Sequence, residues 1–279
     1  MKTQASSSEI AAQALATLTE ALQAGQSEAL TSYLRVMARF RKYSWTNCLL
    51  ISIQRPAATH VAGFHKWLEL GRHVRKGEKG IAILAPVICK SKRAADQKDS
   101  ADDGSNATAE RRLVAFRKTY VWDVQQTDGE ALPEFATVKG DPQHHLESLK
   151  AYVTAQGIAL EYSADISPAK GVSQGEKITL LPNMASAEEF ATLIHEAAHE
   201  RMHRSERRGQ TTKTIRETEA EAVAFVVCHA IGLDTNTAAV DYISLYSGDA
   251  ATLSASLQII QSTAAEILTA LQGGENADQ

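Results

Sequence analysis

The pentapeptide His195-Glu196-Ala197-Ala198-His199 constrains this 279-residue chain more than any other feature. Its surroundings read as a helix opened by Ser186 as N-cap, with Glu188 and Glu189 in the first turn, running to about Arg204. Four residues of an α-helix turn about 400°, so the two imidazoles share one face about 6 Å apart along the axis. From there each can direct a ring nitrogen at one Zn2+ roughly 2.0–2.1 Å away, with Glu196 beside the ion rather than bound to it. Such a pair needs a third ligand. The variant with glycine three residues after the second histidine, and a further histidine three later, is excluded because Met202 and Ser205 stand there. His203 lies about 12 Å along the axis from His195 and is rotated away, so it reads as a surface or core-edge side chain.

A second helix, about Thr212 to Ile231, offers the missing carboxylate within Glu217-Thr218-Glu219-Ala220-Glu221. Glu217 and Glu221 share a face, whereas Glu219 points elsewhere. Val223, Val226 and Val227 mark the helix as buried, and a buried carboxylate wants a partner that a metal supplies.

The rest of the chain divides by charge. From Thr31 to Arg93 thirteen Lys/Arg face two acids (Glu69 and Glu78), although the whole chain carries a net charge of -4. The basic stretch suits a polyanion. The hydrophobic fraction of 44% is enough for a real core, and no apolar run approaches a bilayer span. The opening MKTQASSSEI lacks the apolar stretch of a secretory signal, and Cys48, Cys89 and Cys228 make neither a disulfide framework nor a cysteine zinc site. A cytoplasmic protein without membrane contact is expected.

Helices are expected at 8–24, 28–42, 44–54 and 63–70, the last closed by Gly71, then strands at 81–89 and 113–124. Pro86 argues that the first of these strands lies at an edge. Residues 91–112 lack any large apolar side chain and read as an unstructured insertion. Gly and Pro punctuation from Thr127 to Pro142 suggests a boundary between an N-terminal domain, 1–130, and a C-terminal domain, 140–279. Beyond it the pattern predicts a helix at 144–156, strands at 158–162 and 177–181 flanking a turn at 171–175, the two helices above joined by a turn at 205–212, and helices at 238–246 and 253–271. The fold class is α+β: an α/β N-terminal domain with a small antiparallel sheet, followed by a mainly helical metal-binding domain with a small sheet.

Within the basic half, Gly71 to Gly80 sets Arg72, Arg75, Lys76 and Lys79 around three glycines, where cations can neutralise phosphates. Tyr43, Trp45, Phe64 and Trp67 offer faces on which unpaired bases stack, and Asn47 and Gln54 offer hydrogen bonds to bases or phosphates. Trp67 and Phe64, three apart on a helix, fit a core as well as a platform.

Two resemblances follow from these motifs. His195 to His199 followed by Glu219-Ala220-Glu221-Ala222-Val223-Ala224-Phe225 resembles the ImmA/IrrE-type zinc metallopeptidases, and that register implies Glu221 as the third ligand. The segments Tyr43-Ser44-Trp45-Thr46-Asn47, Phe64-His65-Lys66-Trp67, Gly71 to Gly80 and Trp122-Asp123-Val124-Gln125-Gln126-Thr127 resemble the N-terminal single-stranded-DNA-binding domain of the ArdC antirestriction family. Together they imply a zinc-dependent endopeptidase with His195, His199 and Glu221 as ligands and Glu196 as base, acting on an unidentified protein substrate. They also imply single-stranded DNA as a partner, with Trp45, Asn47, Trp67, Arg72, Arg75, Lys76 and Lys79 as contacts, in protection of a mobile element from restriction. Tyr242 or Tyr246 is a candidate oxyanion donor. The competing expectation is a single-stranded-DNA-binding protein whose metallopeptidase-like half is structural or inactive in proteolysis.

Overall fold

The computed structural model describes residues 6–40, 42–90, 111–130, 142–233 and 250–273. Three helices open the chain: α1 (Ser7–Gln23), α2 (Ser27–Arg39) and α3 (Trp45–Gln54). Ser6 caps α1 in a reciprocal capping box with Glu9, and Gly25, at φ 76°, takes the left-handed conformation that turns the chain into α2. Ser44 caps α3 through Asn47 N–H.

A short strand β1 (Val61–Ala62), the helix α4 (Phe64–Glu69) and β2 (Arg72–Val74) lead into the long hairpin β3 (Ile81–Lys90) and β4 (Arg111–Asp123), with β5 (Thr127–Gly129) after it. Gly71, at φ 69°, closes α4 as expected. The main sheet runs β1-β4-β3, all antiparallel, with Ile81 opposite Val121 and Pro86 opposite Phe116. Pro86 therefore lies in an edge strand, where its missing N–H breaks no ladder bond. The free edge of β3 meets α3, whose amide side chains take the place of a strand. Asn47 bonds both the N–H and the C=O of Leu84, and Gln54 does the same at Ala82, all at 2.9 Å.

The second half contains α5 (Pro142–Ala155), β6 (Ala159–Tyr162), β7 (Gly171–Ser173), β8 (Lys177–Leu180), α6 (Ser186–Met202), α7 (Ser205–Gln210), α8 (Lys213–Ala230) and α9 (Ala250–Gly273). Its sheet is mixed: β8 is central, parallel to β6 and antiparallel to β7. The segment expected as a turn at 171–175 is thus partly strand, and the turn at 205–212 is mostly helix. Ala185 rather than Ser186 occupies the N-cap of α6, without a side-chain bond. Thr212 caps α8.

One hydrophobic cluster runs through both halves, from Leu22, Tyr33 and Ile51 to Phe190, Val223 and Leu257. Helix α2 packs against α8, and Gln261 of α9 donates to the Tyr43 carbonyl at 3.1 Å. Of the insertion expected at 91–112, Arg111 and Arg112 instead open β4; its other residues, most of the expected boundary, the helix at 238–246 and both Tyr242 and Tyr246 lie outside the described residues. No described helix is long and apolar enough to cross a membrane.

Candidate metal centre

Helix α6 is buried through Phe190, Leu193, Ile194, Ala197 and Ala198, which leaves His195 and His199 together on the face towards α8. The two Nε2 atoms lie 3.1 Å apart. Glu217 of α8 brings one oxygen to 3.5 Å from His195 Nε2 and 3.4 Å from His199 Nε2. Glu221, one turn further along, lies 3.3 Å from Nδ1 of His195, the opposite side of that ring. His195, His199 and Glu217 offer three donor atoms within 4.8 Å of one another. Two imidazoles and a carboxylate form a donor set that suits a divalent ion.

The electrostatics point the same way. Burial works against a charge on His195, but hydrogen bonds to Glu217 and Glu221 outweigh it and push the imidazole up to about 9. Burial and the neighbouring His195 pull His199 down to about 4. Its hydrogen bond to His195 drags Glu217 to about 2 in spite of partial burial. The carboxylates thus demand positive charge between them.

Glu196, 8% exposed, has its carboxyl raised by burial, with the charge on His195 opposing. It is pressed against β7, where Gly171 makes the approach possible. A Cβ at that glycine would lie 2.7 Å from Thr192 Cγ2 and 2.8 Å from Glu196 Cγ. The neighbouring Glu200 fixes the β7–β8 turn by accepting from Gly175 N–H at 2.8 Å and Glu176 N–H at 2.9 Å. A cleft of about 270 Å³ runs between β7 and the two histidines, with Arg208, Lys213 and Arg216 on its wall. Among the described residues no strand pairs with the outer edge of β7.

In the basic half several expected contacts are committed to the fold. Trp67 is 1% exposed and its indole donates to the Trp122 carbonyl at 2.9 Å, so it is core rather than platform. Asn47 spends its amide on the β3 edge, and Trp45 is half-buried against the core. Arg72 binds the Thr127 hydroxyl, the carbonyls of Thr127 and Gly129, and that of Glu130, tying β2 to β5. Arg75 is held by Glu78, Asp128 and the Gln125 carbonyl. Both arginines help hold the Gly71–Gly80 segment against 125–130, Arg75 with its side chain still exposed. Lys76 and Lys79 are exposed.

The structure adds a surface that spacing analysis passed over. Val114, Phe116, Lys118 and Tyr120 alternate along one face of β4, and Val114, Phe116 and Tyr120 are 60%, 51% and 45% exposed. Lys118 Nζ stands 5.4 Å from the centre of the Tyr120 ring. Phe64, also exposed, meets Trp122 edge-on at 6.1 Å. The period-two pattern in Leu113–Trp122 is the sequence signal for this face.

Comparison with known proteins bears on both halves. Residues 4–122 match the family described as the N-terminal domain of anti-restriction factor ArdC. The antirestriction protein ArdC from plasmid R388, solved in metal-free and Mn(II)-bound forms, shares the fold. The TM-score is 0.55 in each case, at 19% and 18% identity, over 96% of this chain and 98% and 99% of that one. An uncharacterized protein of Bacillus anthracis is 26% identical over 243 residues, 75% of this chain and 41% of its own length. The chain thus spans well under half of that relative. The likeness in fold to ArdC extends beyond the matched domain to the half that carries the candidate metal ligands.

Proposed function

We propose that this protein is a zinc-dependent metallopeptidase joined to a single-stranded-DNA-binding module, acting as an antirestriction factor. The observation that carries the proposal is the convergence of His195, His199 and a carboxylate of α8 beside the buried Glu196. The ligands are His195 and His199 through Nε2 and, from the distances, Glu217; Glu221 then accepts from Nδ1 of His195 and orients that ring. A bound Zn2+ would supply a water of lowered pKa and polarise the scissile carbonyl. Glu196 takes the proton of the attacking water and hands it to the leaving amine. Its raised pKa makes the carboxylate a better base towards that water. An extended substrate can align along the free edge of β7 and present its carbonyl to the centre.

For the other half, Phe116 and Tyr120 offer stacking faces and Lys118, Lys76 and Lys79 offer phosphate neutralisation, the combination that single strands recognise without sequence readout. The two solved forms of ArdC, one with Mn(II), support the reading of a metal centre and of a DNA-protecting role.

The test uses the full chain. Wild type and Glu196→Gln are incubated with a cell lysate, with and without single-stranded DNA, and new protein termini are mapped in the presence and absence of chelator. Chelator-sensitive cleavage that falls about 10²–10⁴-fold in Glu196→Gln, with metal content unchanged, is expected. Protection of incoming DNA that persists in Glu196→Gln would assign the biological effect to binding alone.

A further inference from the structure

Behind the metal centre lies a buried chain of hydrogen bonds that the proposed chemistry leaves unused. Nδ1 of His199, the ring nitrogen remote from Glu217, is 3.0 Å from Nδ1 of His203. Nε2 of His203 is 2.8 Å from one oxygen of Glu219. The other oxygen of Glu219 accepts from the Ser256 hydroxyl at 2.6 Å and from Arg207. The side chains of His203 and Glu219 are 1% and 0% exposed. The chain links α6, α7, α8 and α9, and it explains why a third histidine four residues after His199 is packed inside rather than turned to solvent.

Donor and acceptor counting fixes where its protons sit. Ser256 and Arg207 both donate to one oxygen of Glu219, so that group is an acceptor and its second oxygen needs a donor. The N–H at Nε2 of His203 is the donor in reach. With its single ring proton on Nε2, His203 carries a bare Nδ1, which accepts from Nδ1–H of His199. That leaves the lone pair of His199 on Nε2, facing His195 and Glu217.

We propose that Glu219 and His203 are positioning residues that hold His199 in its ligating tautomer and orientation, with Arg207 and Ser256 anchoring the relay to α7 and α9. The inference rests on reading His199 as a metal ligand. Neither residue touches substrate; each acts through the imidazole. Outer partners of this kind commonly change metal affinity about 10–100-fold.

The experiment has two independent readouts on the full chain. Zinc affinity is measured by competition with a chromophoric chelator for wild type, Glu219→Gln, His203→Ala and His203→Gln, each first checked for a cooperative melt without metal. Glu219→Gln and His203→Ala are expected to bind zinc about 10–100-fold more weakly, and His203→Gln, whose amide oxygen can accept from His199, to recover part of the loss. Ring-nitrogen NMR of metal-free wild type is expected to place the proton of His199 on Nδ1 and that of His203 on Nε2. Folded variants that keep wild-type affinity while melting lower would reduce the relay to a packing role and overturn the proposal. So would a spectrum with the His199 proton on Nε2. Wild type that binds no zinc would defeat the metal reading itself, and the spectrum alone would then decide the relay.

Discussion

Glu217 and Glu221 sit one turn apart on α8 and meet opposite sides of the same imidazole, so the two carboxylates are chemically unequal. A carboxylate that faces Nε2 of both rings can share an ion with them, whereas one that faces Nδ1 can only orient the ring. Glu221→Gln is therefore expected to weaken zinc binding about 10–100-fold and Glu217→Gln to weaken it more, as read by metal competition. The reverse order would restore Glu221 as the ligand that family resemblance implied. A second residue-scale expectation concerns Cys48 and Cys228. Burial pushes the thiols of Cys48 and Cys228 up to about 12 from 9.0, and neither is exposed. Their folded pKa lies above the unfolded one, so the stability they contribute is intact below pH 9.0 and is lost as pH rises towards 12. Mass mapping after alkylation at pH 8 should find both unmodified in the native protein and modified in denaturant, and urea midpoints should fall between pH 9 and 11. Rapid native labelling of either at pH 8 would contradict the burial.

At the scale of elements, the device to note is α3 laid along the open edge of β3. The two amide side chains occupy positions 47 and 54, seven apart and so on one helical face, and they meet Leu84 and Ala82, two apart and so on one strand edge. A sheet edge left open is a template for pairing with other chains, and here side chains close it. Asn47 is 8% exposed, so Asn47→Ala strands a donor and an acceptor of Leu84 away from water. The expected loss is about 1–3 kcal/mol by urea unfolding. Gln54→Ala, at a more exposed site, should lose less because water can replace the amide. A loss at position 47 no larger than that at 54 would show that water also reaches Leu84. These bonds also account for a misreading: an amide in a basic, aromatic segment looks available to bases until the strand it serves is in view. Pro86 was readable as an edge marker because its chemistry is local. Asn47 was not, since its partner lies 37 residues away.

For the whole molecule, charge is segregated although the core is shared. The excess of cations between Thr31 and Arg93 was visible in composition, but the fold engages Arg72 and Arg75 in bonds to residues 125–130, while Lys76 and Lys79 are exposed. Affinity for a single-stranded oligonucleotide should therefore fall with salt, and replacing Lys76 and Lys79 together by Ala should reduce the magnitude of the log–log slope by about 1–2. Phe116→Ala and Tyr120→Ala should each weaken binding by about 1–3 kcal/mol with the slope unchanged. An unaltered slope in the lysine variant would remove those two phosphate contacts. The halves on either side of the boundary expected from Gly and Pro punctuation share a buried cluster that passes from α2 to α8 and from α3 to α9.

Features that depend on residues near one another along the chain can be read from the amino-acid order alone. The helical spacing of His195 and His199, the acid beside them and the edge character of β3 all belong to that class, because helix pitch and the missing N–H of proline act over a few residues. Only the tertiary structure decided which face of α8 met those imidazoles, that His203 turned inward to Glu219, and which of the cations and aromatics of the basic half remained outside. Those outcomes depend on how helices and sheet bury apolar surface against one another. A carboxylate or guanidinium is then bound to partners that only the packed chain brings within reach.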